Sequence, residues 1–159
     1  MSRCAITTGL ALILAAFAGW LFLSTAPTAP LAQADTAGKA SDAGLQRDTI
    51  ATNHAVSQAF PQIEQIGGFR PDPLPKHDEG LALDIPVPDD PTSPEGITLG
   101  DAIRDFRLTH TDELGIDHVL WSQHIYRADG TSKPMEPRDS DVTNHVTHLH
   151  VTTKNGGYP

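Results

Sequence analysis

The chain has 159 residues and a formal net charge of −9, with 20 acidic residues against 11 basic ones. This length predicts one folded domain, and the acidic balance argues against nucleic acid as a partner, since phosphate binding requires clusters of lysine and arginine. The single cysteine, Cys4, excludes an internal disulfide. The domain must therefore be stabilised by its core, to which a bound metal could add.

The N-terminal segment has the pattern of a targeting sequence. Arg3 precedes an apolar run over residues 9–23, and Ala32-Gln33-Ala34 follows as a small-residue cleavage site. This arrangement predicts a secretory signal peptide over residues 1–34. The alternative is a retained membrane anchor, because residues 4–23 are about long enough to span a bilayer. Either alternative places the rest of the chain outside the cytoplasmic membrane, secreted or in the cell envelope.

The segment that follows predicts a short linker and the first elements of the domain. Residues 35–42 are small and polar and are typical of a linker, so we assign the domain to residues 43–159. Apolar positions over residues 43–60 fit a modestly amphipathic helix, which Pro61 ends. Residues 64–69 predict a short strand with a pair of glycines that permits close backbone contact.

The rest of the chain mixes strands and helices without strict alternation. In chain order we expect a proline-rich loop over 70–79, a strand Gly80–Ile85, a rigid loop Pro86–Glu95, a helix from Thr98 to about Leu114, strands Asp117–Trp121 and His124–Tyr126, a long loop Lys133–Asn144 and a final strand Thr147–Thr153. This order predicts an α+β fold with a small antiparallel sheet and flanking helices.

Two of these segments together offer the ligands of a metal site. His77 ends the proline-rich loop, Asp84 lies on the following strand, and His148-Leu149-His150 lies on the final strand. Side chains alternate faces along a strand, so His148 and His150 share one face while Leu149 points to the other. Two imidazoles and a carboxylate, with a third imidazole beside them, are the ligand types of catalytic zinc.

The charge of such a site indicates what it could do. Two neutral imidazoles and one carboxylate leave a zinc ion with a net charge of +1, which polarises a carbonyl group and lowers the pKa of bound water toward about 7. The site then needs a base or an oxyanion partner, for which His148 is the best candidate. His145 could serve instead, or could orient a ligand imidazole through a hydrogen bond.

Arg70 is the candidate substrate-binding residue. It follows Gly67-Gly68-Phe69 and precedes His77 by seven residues. Its guanidinium could hold a peptide carboxylate in bidentate fashion. The alternative is a structural role, in which Arg70 fixes a loop through backbone carbonyls.

These motifs resemble a known superfamily of zinc peptidases, which groups lysostaphin, the D-Ala-D-Ala carboxypeptidases and the hedgehog signalling domain. The carboxypeptidases carry Ser-x-His-x-x-Gly-x-Ala-x-Asp after a Ser-Gly-Tyr-Arg-like segment, and this chain has His77-Asp78-Glu79-Gly80-Leu81-Ala82-Leu83-Asp84 after Gly67-Gly68-Phe69-Arg70. A subgroup of exported actinobacterial proteins of undefined activity is more similar still. Its Val-Ile-Trp-x-Gln and Asn-His-x-x-His-x-His-Val motifs match residues 119–123 and 144–151.

The resemblance covers about residues 55–155 and implies the hedgehog/D-Ala-D-Ala peptidase fold, with His77, Asp84 and His150 as zinc ligands. It also implies departures, since His148 stands where the carboxypeptidases have a catalytic glutamate and Lys76 where they have a serine. The His-x-His arrangement is closer to the lysostaphin type, whose first histidine assists catalysis.

The expected function is therefore that of an exported zinc metallopeptidase-like domain, a carboxypeptidase or endopeptidase that hydrolyses amide bonds in peptidoglycan peptides. The alternative is a non-catalytic, zinc-stabilised module for binding or interaction in the cell envelope. We expect a monomer.

Overall fold

The computed structural model describes residues 38–73 and 76–159, so the predicted targeting segment 1–34 lies outside the described residues. Within the described ranges, no helix has both the length and the apolar character needed to cross a membrane. The elements in chain order are α1 (Arg47–Ala59), β1 (Ala82–Pro86), α2 (Pro94–Thr109), β2 (Ile116–Trp121), β3 (His124–Arg127), β4 (Ser132–Pro134) and β5 (His148–Thr153).

The five strands form one sheet in the order β1-β5-β2-β3-β4. Every neighbouring pair is antiparallel, so the predicted α+β class with an antiparallel sheet is confirmed. The last strand in the chain, β5, lies between β1 and β2. This position brings the C-terminal histidines next to the strand that carries Asp84.

The two faces of the sheet have different roles because neighbouring residues of a strand point to opposite sides. One face belongs to the core that it shares with the helices, and its fully buried members include Leu83, Ile85, Val119, Leu149 and Val151. Trp121 is also buried, and its indole Nε1 donates a hydrogen bond to Asp101 of α2. Trp121 is thus a core residue. The opposite face carries the alternate residues, among which are the histidines of β2 and β5 and the carboxylate of the predicted site.

The structure differs from the sequence-based expectations at three elements. The helix α2 runs from Pro94 to Thr109 and not from Thr98 to about Leu114. It starts earlier because Ser93 accepts a hydrogen bond from the Gly96 amide at 3.0 Å and caps the helix. The predicted strand over residues 64–69 is reduced to a single bridge between Gly67 and Asp84. The strand β4 lies at the start of the predicted loop Lys133–Asn144, where three residues pair with β3 at the sheet edge.

The described part of the predicted linker packs against α1. The amide side chain of Asn53 accepts a hydrogen bond from the Ala40 amide at 3.0 Å and donates one to the Ala40 carbonyl at 3.0 Å. Ala40 is itself buried. Ala40, which lies within the predicted linker, is therefore part of the hydrophobic core.

The backbone conformation of Gly80 determines where His77 lies relative to the sheet. Gly80 has a φ of +69°, and a Cβ atom there would overlap the carbonyl oxygen of Gly44. We expect Gly80→Ala to lower the free energy of unfolding by about 3 kcal/mol, since a left-handed conformation costs an alanine roughly 1 kcal/mol and overpacking about 2 more. Denaturant unfolding of the purified protein measures this change.

Gly130 offers a matched control, because its φ is +82° but no atom lies within 4 Å of the position that a Cβ atom would take. Gly130→Ala should cost only the conformational part, about 1 kcal/mol. Equal losses for the two variants would show that the contact between Gly80 and Gly44 does not restrain the fold.

Candidate metal centre

The open face of the sheet carries the centre of the site. Asp84 on β1 and His150 on β5 are directly opposed in the antiparallel register, and such pairs hold their Cβ atoms about 5 Å apart. The Nδ1 atom of His150 lies 2.9 Å from Oδ1 of Asp84. Both residues are half-buried, so the pair is reachable from solvent but fixed by the sheet.

His77 completes a group of three residues that could hold a metal ion. One nitrogen from each of His77 and His150 and one oxygen of Asp84 all lie within 4.8 Å of one another. The Nε2 atom of His77 is 3.2 Å from Oδ2 of Asp84. The three residues that the sequence predicts as ligands are thus brought together, although they come from a loop and two separate strands.

A tight turn fixes the position of His77. The Leu81 amide donates to the carbonyl of Lys76 at 2.8 Å, and the Gly80 amide donates to the carbonyl of His77 at 3.1 Å. The ring Nδ1 lies 2.9 Å from the carbonyl oxygen of Gly68. Nη1 of Arg70 also lies 3.2 Å from this nitrogen. In the tautomer with its proton on Nδ1, the ring donates to the Gly68 carbonyl and Nε2 keeps its lone pair on the side of Asp84 and His150.

The environment of His77 Nε2 fits a bound cation. This nitrogen is buried and lies 3.2 Å from Oδ2 of Asp84, but no hydrogen bond of good geometry satisfies it among the described residues, and an unsatisfied buried polar atom is costly. A metal ion would satisfy it, and the hydrogen bond from Nδ1 to a backbone carbonyl is the usual support of a ligand imidazole. The donor set of two imidazoles and a carboxylate is one that divalent transition metals accept.

Asp84 is held in its charged form. Burial raises the pKa of this carboxyl group, but the hydrogen bond with His150, the close approach of His77 and the electrostatic attraction of both rings outweigh burial and keep the pKa well below its ordinary range. A carboxylate that is ionised at neutral pH is the form that a metal ion requires.

Arg70 reaches the centre through Asp84. Its Nη2 lies 2.8 Å from Oδ2 of Asp84 and 3.3 Å from Oδ2 of Asp72. Gly67 brings it there, because its amide and carbonyl pair with the backbone of Asp84 at 2.8 Å each. The guanidinium therefore orients the carboxylate of Asp84, and contact between Arg70 and a substrate stays a prediction.

His148 lies beside the three-residue group without being part of it. Its Nε2 is 3.5 Å from Oδ1 of Asp84, and its Nδ1 lies 3.1 Å from the hydroxyl of Thr147. Burial lowers the pKa of His148, and the charge of Asp84 opposes this change in part. The neutral form of the ring is thus favoured, and the ring lies beside the three-residue group.

His145 contacts the same cluster from the preceding loop. Its ring centroid lies 5.0 Å from that of His148 and 5.5 Å from that of His150. Burial, reinforced by the charge of the neighbouring histidines, lowers the pKa of His145 to about 4. Its Nδ1 is buried without a hydrogen-bond partner in the described part of the chain.

The turn between β2 and β3 explains the placement of His145. Ser122 and Gln123 have positive φ values of 46° and 62°, and this tight turn lets their amides donate to the carbonyls of His145 and Asn144 at 2.8 and 3.0 Å. His145 itself adopts a φ of 54°. A hairpin turn thus holds the loop that presents the third histidine.

The site opens into a cavity of about 450 Å³ on the open sheet face. Three of its ionisable lining residues were not expected from the sequence: Asp72, His118 and Arg138. The Gly68 carbonyl, which supports His77, was not expected either. The alternation of β2 could have indicated His118, whereas the roles of Asp72 and Gly68 depend on how residues 67–72 fold over β1.

The comparisons with known proteins give a family but no individual relative. The family model described as "VldE, C-terminal domain" matches residues 41–146, which is more than half of the chain. No curated protein matches the chain, and neither does any solved structure. The match includes His77 and Asp84 but ends before His150. The chain therefore belongs to the family of the VldE C-terminal domain.

Proposed function

We propose that the protein is an exported zinc metallopeptidase-like domain that hydrolyses amide bonds in peptidoglycan peptides. One observation carries the proposal: two imidazole nitrogens and a carboxylate oxygen converge within 4.8 Å on the open face of a sheet. Two further imidazoles lie beside them. A purely structural metal site is normally closed by four protein ligands, whereas this group leaves a position for water.

In the proposed reaction, the zinc ion and the side chains of the protein have different tasks. Zinc, when bound, would polarise the scissile carbonyl and lower the pKa of water toward about 7. His148 has the geometry of a proton carrier, since its Nε2 lies 3.5 Å from the ligand carboxylate on the solvent side of the sheet. A neutral imidazole there can accept a proton and then donate it to the leaving amine. Arg70 keeps Asp84 oriented throughout.

The resemblance of the motifs supports the same reaction class. His77, Asp84 and His150 occupy the ligand positions of the hedgehog/D-Ala-D-Ala peptidase superfamily, and we propose membership of that superfamily as the finer classification. Lys76, which stands at the serine position, pairs with Glu79 at 2.9 Å. It therefore takes a structural role at the edge of the turn. The targeting pattern of residues 1–34 supports an extracytoplasmic location.

A second candidate is a zinc-stabilised binding module without turnover. Among the described residues that line the cavity, the only carboxylates are Asp72 and Asp84, and both contact Arg70. No carboxylate there is available as the general base that glutamate provides in the carboxypeptidases. A metal site without an efficient base would bind a peptide and hold it.

The decisive experiment is a digest of peptidoglycan stem peptides by the full chain loaded with one equivalent of zinc. We expect amide cleavage, measured by mass spectrometry of the products, that stops after chelation and returns when zinc is added back. No cleavage between pH 5 and 9 by protein of verified metal content would contradict the peptidase. Retained peptide binding in that case would favour the binding module.

A further inference from the structure

A continuous row of side chains leads away from the metal centre across the open face of the sheet. The register pairs Asp84 with His150, His150 with Leu120, Leu120 with Ile125, and Ile125 with Lys133. These residues share one face because each is directly opposed to the next in an antiparallel ladder. The row crosses all five strands, and its apolar middle is flanked by a charge at either end.

The far end of this row is basic although the protein as a whole is acidic. A second cavity of about 470 Å³ adjoins the metal cavity, with which it shares His118, Leu120 and Arg138. Its lining also contains Arg127 and Lys133, and Glu136 is its single carboxylate. Three cations against one anion stand out in a chain with a net charge of −9. We name Arg127, Lys133 and Arg138 the basic strip.

Two cations of the basic strip, Arg127 and Lys133, are available to a ligand. In the described ranges, neither Arg127 nor Lys133 has an ion-pair partner within 4.0 Å, and Lys133 is exposed. Arg127 is opposed to His118 in the ladder and therefore faces the same side. Hydrogen bonds from Thr131 lower the pKa of the exposed Asp129, and the charge of Arg127 adds a smaller effect in the same direction. Arg127 and Asp129 nevertheless form no ion pair.

Arg138 is fixed at the junction of the two cavities by its own loop. The Asn144 side chain accepts a hydrogen bond from the Arg138 amide at 2.7 Å and donates one to its carbonyl at 3.0 Å. This clamp joins Arg138 to the residue next to His145. The basic strip is thus connected to the metal centre by a fixed backbone.

We propose that the basic strip binds a carboxylate of an acidic peptide substrate that lies across the strands, with the bond to be cut at the metal centre. The proposal rests on the function proposed above and names its substrate class. Three strand spacings separate His150 from Lys133, which is about 14 Å at roughly 4.8 Å per strand. An extended peptide covers this distance in about four residues. The recognised carboxylate therefore lies about four residues from the scissile bond.

The test compares two synthetic peptides that differ at one group. In one the carboxylate of a glutamate four residues from the amide bond to be cut is free, and in the other it is amidated. Binding to the zinc-loaded full chain is measured by NMR titration in a His148→Ala background, so that turnover does not consume the probe. We expect the free peptide to bind about tenfold more tightly, because two ion pairs of surface type together give about this factor.

The variant Arg127→Gln/Lys133→Gln should weaken binding of the free peptide about tenfold and leave binding of the amidated peptide nearly unchanged. Lys154→Gln is the matched control, since Lys154 is an exposed lysine that lines neither cavity, and it should change neither affinity. Equal affinity for the two peptides, no binding of either, or full retention by the double variant would each overturn the proposal.

The outcome is separable from that of the proposed function. If the wild-type chain does not cleave but the binding pattern is found, hydrolysis fails and the substrate class stands. If it cleaves both peptides equally well and the double variant is unaffected, the peptidase stands and the basic strip has no part in recognition.

Discussion

Asp84→Asn is expected to lower the affinity of the full chain for zinc by more than about a hundredfold. Loss of a partner that only supports a ligand costs about 10- to 100-fold in affinity, and we propose Asp84 as a ligand itself. The asparagine keeps the shape of the side chain but removes the negative charge that contacts His77, His150 and Arg70. Competition with a chromogenic chelator measures the change.

Asp117→Asn is the matched control for this variant. Asp117 is an exposed strand aspartate whose Oδ2 lies 2.7 Å from Nδ1 of His118, so it also pairs with a histidine but lies outside the three-residue group. It should leave zinc affinity within about twofold of wild type, the effect of a surface charge. Equal zinc affinity of Asp84→Asn and wild type, with both proteins folded by circular dichroism, would remove the basis of the metal centre.

His148→Ala is expected to lower kcat for peptide hydrolysis by about a hundredfold to ten-thousandfold, which is the range for loss of a general acid–base group. Zinc content should be retained, since the ligand atoms of the three-residue group are unchanged. Steady-state kinetics together with metal analysis of the same sample separate the two effects. The proton transfer that we assign to His148 can be restored only by another side chain that accepts a proton at this position.

His54→Ala provides the comparison for His148→Ala. The Nε2 atom of His54 lies 2.8 Å from Oδ2 of Asp42 on the exposed side of α1. His54 has no role in the chemistry proposed for the open sheet face, so its replacement should leave kcat unchanged. If His148→Ala loses zinc, His148 is a ligand and not a proton carrier. If it keeps both zinc and activity, the proton passes through a different group, for which His145 is the nearest neighbour.

Part of the candidate metal centre was predictable from the sequence because the orientation of its side chains follows local rules. The turn that Gly80 permits and the alternation of residues 82–86 and 148–153 determine which side chains face outward, and both follow from short-range rules. The convergence of His77, Asp84 and His150 then requires only that β1 and β5 be neighbours. The resemblance supplied that neighbour relation, which periodicity alone does not contain.

Other features depend on contacts that a sequence pattern does not encode. The strand β4 has three residues, which is too short for an alternating pattern, and it exists because β3 offers a free edge. The role of Arg70 was predicted as substrate contact, but its observed partners depend on how residues 67–72 pair with β1. The basic strip was missed for the same reason, since its three residues come from β3, β4 and the following loop.

The sequence contains a signal for the start of α2, but the proline content of the surrounding residues argued against a helix there. Ser93 followed by Pro94 is a favourable helix beginning, because proline has no amide to satisfy at the first helical position. The prolines of residues 86–94 nevertheless predicted an irregular loop, and the helix was placed four residues too late. The proline-rich composition of this segment therefore outweighed the local helix-capping signal of Ser93.

The insertion of β5 between β1 and β2 has a consequence for the order of events during biosynthesis. During translation, His77 and Asp84 leave the ribosome long before His150. The imidazole of His150 reaches them only when β5 inserts between β1 and β2, which have already been synthesised. Ion capture must therefore follow translation of β5. Once captured, the ion would tie the earliest strand to the latest, so that unfolding from either end is resisted by the same bond.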